Sequence, residues 1–238
     1  VNGDRTHKDD MNGGIVITSF GYWIGGEDGT DQSKIVKFDD ILVENCYVKD
    51  VSRTGISVGC STGFYKAFSL IKENPDYPKS PMVYPEGTIE NYANTGVVIR
   101  NNYVERTGGD GIVVQHSDRP LVERNICAFA SQSTKDDPYG SMVNAGIWTW
   151  QCKDALFQYN EVYGTVESYD GEAYDCDYGV GTIYQYNYSH DNEGGFMLLC
   201  DGEAVGSIIR YNISQNDRRS LFFISSPDGE IYNNTFYI

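Results

Sequence analysis

Between Tyr169 and Gly179 the chain reads YDGEAYDCDYG, which sets Asp175 and Asp177 two residues apart among Tyr174, Cys176 and Tyr178. Successive side chains leave an extended strand on opposite faces, so these two carboxylates share one face. A pair at that spacing can do two kinds of chemistry. It can hold and transfer protons, because mutual repulsion raises the proton affinity of one member. It can also offer oxygen ligands to a hard cation such as calcium. Trp148 and Trp150 repeat the two-residue spacing upstream. Exposed indole faces are surfaces on which sugars stack, while carboxylates take sugar hydroxyls or act on them.

The elements that position these residues emerge from a repeat. ILVENCYV (41–48), VVIRNNYV (97–104), PLVERNIC (120–127), ALFQYNEV (155–162), TIYQYNYS (182–189), SIIRYNIS (207–214) and GEIYNNTF (229–236) align in one column: Cys46, Asn102, Asn125, Asn160, Asn187, Asn212 and Asn234. From Asn102 onward the spacings are 23, 35, 27, 25 and 22 residues, as expected for a solenoid coil with occasional insertions. Each unit has a second strand that usually follows a Gly: GIVIT, GISVGC, GIVVQHS, GIWTWQC, GEAYDCD and GFMLLCD, with SLFFISS as the last. Helical periodicity is nowhere sustained, and alternation dominates.

These coils resemble the right-handed parallel β-helix of the pectate-lyase-like superfamily, including bacterial carbohydrate-active proteins. The resemblance covers nearly the whole chain. It implies an all-β solenoid of about seven coils, an internal Asn ladder at a turn, and a site on the outward strand face. A buried Asn in a tight turn tolerates the left-handed conformation and can hydrogen-bond its copies in neighbouring coils. Asn187 and Asn212 head Asn-x-Ser sequences, but as ladder members they are not expected to carry glycans.

With the leading Gly of each second strand as origin, the inward set is Ile56, Val58, Cys60; Ile112, Val114, His116; Ile147, Thr149, Gln151; Glu172, Tyr174, Cys176; and Phe196, Leu198, Cys200. Cys60, Cys176 and Cys200 then form an inward thiol column, and His116 a core histidine. Glu172, an acid, is the misfit in this mostly apolar set, which leaves the local register open to a slip of one residue. The outward set carries Gln115, Trp148, Trp150, Asp175 and Asp177, with Met197, Leu199 and Asp201 in the next coil. Asp201 is thereby expected one coil, about 4.8 Å, from Asp177, where repulsion would raise one of their pKa values.

Two insertions, near 61–94 and 130–145, interrupt the repeat and are expected to wall a groove beside this face. The turn YSHDNEGG brings His190, Asp191 and Glu193, and NDRRS brings Arg218 and Arg219 to a surface corner.

Composition narrows the function. The 238 residues carry 18 basic and 34 acidic side chains, a net charge of −16, which argues against a nucleic-acid partner. Nineteen Tyr and 26 Gly fit a turn-rich β protein. No apolar run approaches membrane-spanning length, no leader is visible at Val1, and the six Cys form no CxxC pair. The strand-like end GEIYNNTFYI suggests one β-helix domain over 1–238 taken from a longer protein.

The leading expectation is a glycoside hydrolase acting on a polysaccharide or oligosaccharide. Asp177 would be its general acid and Asp175 the base or nucleophile, with Asp201, Asp170, Glu193 and His190 as further candidates. Trp148, Trp150, Gln115 and Glu172 are the candidate substrate-binding residues. The hydrolase needs no cofactor. The runner-up is a polysaccharide lyase with calcium on Asp175, Asp177 and Asp201, and His190 or a corner Arg as base. A non-catalytic carbohydrate-binding solenoid is third. A polymer substrate places the protein outside the membrane, secreted or periplasmic.

Overall fold

A computed structural model describes residues 13–18, 37–59, 84, 86–132, 144–167, 169–200 and 204–238. Its strands wind into a parallel β-helix with three seven-stranded sheets. The first sheet holds β1 (Gly13–Thr18), β4 (Thr54–Gly59), β7 (Ile112–Gln115), β10 (Ile147–Trp150), β13 (Tyr174–Asp177), β16 (Met197–Cys200) and β19 (Phe222–Ile224). The second holds β2 (Leu42–Glu44), β5 (Val98–Arg100), β8 (Leu121–Glu123), β11 (Leu156–Gln158), β14 (Ile183–Gln185), β17 (Ser207–Arg210) and β20 (Gly229–Tyr232). The third holds β3 (Tyr47–Val51), β6 (Tyr103–Thr107), β9 (Ile126–Ala128), β12 (Glu161–Tyr163), β15 (Tyr188–His190), β18 (Ile213–Gln215) and β21 (Thr235–Tyr237). Among the described residues there is one short helix, α1 (Thr88–Tyr92), in the first insertion.

The core fills from all three sheets. Ile56, Ile112, Ile147, Tyr174 and Met197 come from the first, Ile99, Val122, Phe157, Tyr184 and Ile209 from the second, and Val104, Cys127 and Val162 from the third. Phe157 and Tyr184 stack at 4.5 Å. Burying each such side chain contributes about 1.5–3 kcal/mol.

The Asn ladder occupies the corner between the second and third sheets. The Asn160 backbone N–H and Nδ2 both donate to Asn187 Oδ1, at 2.9 and 3.1 Å, and Asn160 Nδ2 also donates to the Val122 carbonyl at 2.9 Å. The same pattern runs from Asn102 through Asn234. The left-handed residue of this turn is not the ladder Asn, however, but the one before it. Asn101, Arg124, Tyr159, Tyr186, Tyr211 and Asn233 have φ between 54° and 57°. Each left-handed non-glycine costs about 1–2 kcal/mol, which the buried hydrogen bonds that follow offset. Tyr159, Tyr186 and Tyr211 also stack, at 5.3 and 5.2 Å.

The glycine-led register holds through Gly146 and fails at β16. Met197 and Leu199 pair with the inward Tyr174 and Cys176, while Leu198 and Cys200 pair with Asp175 and Asp177. The inward assignment of Leu198 and Cys200, and the outward one of Met197 and Leu199, are therefore reversed. The residue in register with Gly146 is Ala173, and after it Phe196. Gly171 precedes that column by two residues, which preserves the faces, but Gly195 precedes it by one, which exchanges them. Gly at 111 and 146 is demanded by packing: a Cβ there would run into Cys127 Sγ and Val162 Cγ1. The third-sheet column falls from Val162 to Ser189 and Ser214, where Ala173 and Phe196 replace Gly. Cys60 lies outside the described residues, so of the expected thiol column only Cys176 is seen facing in.

Candidate active site

The outer face of the first sheet carries two columns. One runs Ser57, Val113, Trp148, Asp175, Leu198, and the other Gln115, Trp150, Asp177, Cys200. Parallel pairing sets Trp148 beside Asp175 and Trp150 beside Asp177. Both indoles are half-buried, as is Asp177, whereas Ser57, Val113, Gln115, Asp175 and Leu198 are buried. The surface is a recessed floor rather than an open strand face.

Asp175 is 5% exposed. Burial, then the carboxylates of Asp177, Asp170 and Glu172, push its carboxyl well above the usual range. Its Oδ1 has no hydrogen-bond partner among the described residues. Glu172 is 1% exposed. Burial pushes it up to about 7, with repulsion from Asp170 and Glu167 adding to the rise and Arg219 opposing it. Its side chain is fully enclosed at the corner before β13, 3.5 Å from Arg219 Nη1. Asp170, two residues earlier, is half-buried. Four carboxyls thus interact at the end of one strand. Two are buried and proton-holding by environment, and two are accessible to solvent.

The indoles are held from behind. Trp148 Nε1 donates to Asp110 Oδ1 at 2.9 Å. Asp110 also accepts from the Ala145 N–H at 3.2 Å and Thr54 Oγ1 at 3.2 Å, and it pairs with buried Arg53 at 3.2 Å. Trp150 lies 5.3 Å from the ring of His116. His116 is buried, as expected, and burial depresses its pKa to about 3, so it is neutral.

The insertions root at opposite ends of this face. Residues 60–83, 85 and 133–143 lie outside the described residues. Tyr84 returns to the corner beyond Trp150 and Asp177, where its hydroxyl donates to the carbonyls of Cys152 at 3.1 Å and Tyr178 at 3.3 Å. Asn144, at the foot of the second insertion, accepts from the Gly171 N–H at 2.9 Å and from Arg53 Nη1.

Other sequence candidates are placed elsewhere. Asp201 lies outside the described residues. The partner of Asp177 in the next coil is Cys200, so the expected Asp177–Asp201 column is replaced by repulsion within β13 itself. His190 lies on the third sheet, sandwiched between Tyr163 at 4.8 Å and Tyr188 at 4.6 Å, and bonded to Glu161 at 3.1 Å and Asp191 at 2.8 Å. Glu193 Oε2 accepts from the Glu167 N–H at 3.3 Å, and its Oε1 lies 3.9 Å from Arg218. Among the described residues no group of three or more His, Cys, Asp or Glu is placed to hold a metal ion. Sequence reasoning missed the Asp110 network and the inward reach of Arg219. The first had a signal, an acidic residue between glycines ahead of a core strand. The second had none.

A family model described as "Right handed beta helix region" matches residues 10–134. The whole chain is 39% identical to a lacto-N-biosidase of Bifidobacterium longum subsp. longum, of which it covers 15%. Two crystal structures of a GH136 lacto-N-biosidase from Eubacterium ramulus, a selenomethionine derivative and the native protein, superpose with TM-scores of 0.70 and 0.69 at 32% identity. Each match covers 86% of this chain and 36% of the solved one. The chain thus spans well under half the length of these relatives.

Proposed function

The chain belongs to the right-handed β-helix family, and we propose that it carries the active site of a glycoside hydrolase that releases lacto-N-biose units from oligosaccharides. The observation that carries this reading is the gathering of Asp175 and Asp177 beside two half-buried indoles on one sheet face, with Asp170 and Glu172 at the corner that leads into it. The identity to lacto-N-biosidases across this same stretch supports the choice of substrate.

Glycosidic hydrolysis needs a carboxylic acid to protonate the leaving oxygen and a carboxylate to act as base or nucleophile. Asp175 and Asp177 share a face in a recess, and burial with the Asp177 carboxylate beside it raises the proton affinity of Asp175, which favours one shared proton on the pair. Asp177 is the accessible member and delivers that proton, and Asp175 behind it keeps the pair charged with one. The reacting carboxylate is then Asp170, which is half-buried, rather than the enclosed Asp175. Trp148 and Trp150 give the sugar a surface to stack on, with Gln115 beside Trp150 in the floor, while the enclosed Glu172 supports the corner from beneath rather than touching the sugar. The mechanism uses no metal. An enzyme of this kind acts outside the cytoplasmic membrane, secreted or periplasmic.

The test is hydrolysis of an aryl lacto-N-bioside by the purified protein, with and without chelator. Asp177→Asn and Asp170→Asn are expected to lower kcat by at least about 1,000-fold while leaving the fold intact. Activity retained in both variants would overturn the assignment. Ultraviolet-absorbing unsaturated products, lost on chelation, would move the protein to the lyase class.

A further inference from the structure

We infer that Arg219 is a positioning residue for the active site, a clamp that fixes Asp170 by gripping the chain on either side of it. The inference rests on the reading of Asp170 as a reacting carboxylate. Arg219 Nη1 donates to the carbonyl of Tyr169, the residue before Asp170, at 2.6 Å. The same nitrogen lies 3.5 Å from Glu172 Oε1, two residues after Asp170. Its Nε lies 3.7 Å from Glu167 Oε1. One guanidinium therefore holds a backbone carbonyl and two carboxylates of the segment that presents Asp170, from 50 positions away along the sequence.

The clamp is itself anchored. Asp217, buried two residues before Arg219, accepts from Ser189 Oγ at 2.5 Å, Ser214 Oγ at 2.6 Å and the Asn192 N–H at 3.1 Å. The Arg218 N–H donates to the Asn192 carbonyl at 2.8 Å. Gly195 is constrained to match: a Cβ there would strike the Ser220 carbonyl oxygen, so the two corners close against each other. Arg219 adopts φ of 56°, which aims its side chain from this fixed corner.

The electrostatics explain why a cation is needed. Glu167, Asp170 and Glu172 crowd one short segment beside Asp175, and their repulsion works to open it. Arginine suits the role because its planar fork meets several acceptors at once, whereas the lysine ammonium is a point charge on a flexible stem. A displacement of about 1 Å in a reacting group can cost about 100-fold in rate.

The experiment measures kcat and KM for an aryl lacto-N-bioside with wild type, Arg219→Ala, Arg219→Lys, Asp170→Asn and the Arg219→Ala/Asp170→Asn double variant, alongside Tm. Arg219→Ala is expected to lower kcat about 10- to 100-fold with KM within about 2-fold, the pattern of an interaction that acts in the transition state. Arg219→Lys should keep Tm yet recover little of the rate, which keeps the test valid if the Ala variant unfolds. In the Asp170→Asn background, removing Arg219 should cost almost nothing further, because a clamp has no effect once its target is disabled. Wild-type kcat in both Arg219 variants would overturn the inference. So would a loss confined to KM, which marks substrate contact, or an undiminished additional loss in the double variant, which marks general structural damage. A fully active Asp170→Asn would instead overturn the reading of Asp170, so the two failures are distinguishable.

Discussion

Glu172→Gln tests whether the carboxyl cluster holds protons in the way its burial dictates. Folding moves Glu172 from a pKa of 4.5 up to about 7. The unfolded chain releases this proton near pH 4.5, while the folded chain keeps it until near pH 7. Between those values the folded state binds more protons, so stability falls as pH rises, by about 1.4 kcal/mol per unit. Over the full interval this one side chain costs the wild type about 3 kcal/mol of stability, all of it absent below pH 4.5. Gln has the same shape and no proton to lose. Its Oε1 can still accept from Arg219, and any cost of placing an amide Nε2 where Glu172 Oε2 sits is the same at every pH. The informative quantity is therefore the stability of Glu172→Gln minus that of wild type, from urea unfolding at pH 4, 5, 6, 7 and 8. It should climb by about 3 kcal/mol from the lowest to the highest pH, with most of the climb between 4.5 and 7. Asp175 titrates in both proteins, so its own slope largely cancels. A flat difference would show that Glu172 is already ionised in the folded chain, and the account of the recess as a proton-holding site would fail with it.

Two other substitutions probe the platform and the scaffold. Trp150→Ala is expected to raise KM about 10-fold with a smaller effect on kcat, since a stacking surface binds ground and transition states alike; steady-state kinetics with unchanged KM would remove Trp150 from the binding site. Asn187→Ala strips the Asn160 N–H and side-chain amide of their shared acceptor and removes one of the donors to the Phe157 carbonyl, at a cost of about 4 kcal/mol for the orphaned buried groups. Asn234→Ala, in the partly exposed final rung, should cost less than half as much, because water replaces the lost partner; equal losses in urea unfolding would show that the ladder does not work by burial.

The strands were legible and the corners were not, for a physical reason. A strand residue's face follows from parity alone, so Asp175, Asp177, Trp148 and Trp150 were placed together from spacing, and the Asn column announced the coils. Parity is also unforgiving. Counting from Gly195 instead of Phe196 moved Met197, Leu198, Leu199 and Cys200 to the wrong faces and set Asp201 in a column that Cys200 occupies. What misled the count was a real function of glycine, since Gly195 is small to admit the Ser220 backbone and not to mark the start of a strand. Corner residues obey no such period. Glu172 and Arg219 meet because corners with left-handed φ, at Gly171 and at Arg219 itself, bring them together, and a string of residue types does not record those angles.

That division of labour has a consequence for how such a site is built. The sheet supplies rigid, regularly spaced groups at a pitch of about 4.8 Å, but every group on it points along nearly the same direction. A reaction that needs a donor and an acceptor on different sides of a bond must recruit one of them from outside the sheet. Here Asp170 lies in the corner before β13, outside the ladder, close enough to raise the proton affinity of Asp175 and Glu172. A corner is less constrained than a strand, so it must be tied down by something that is itself fixed. Arg219 does so, and its own corner is locked by the buried Asp217 and its three donor residues. Accuracy at Asp170 is in this way borrowed from the coil stack through a single side chain, and the loss expected in Arg219→Ala measures how much of the catalytic geometry the stack alone cannot provide.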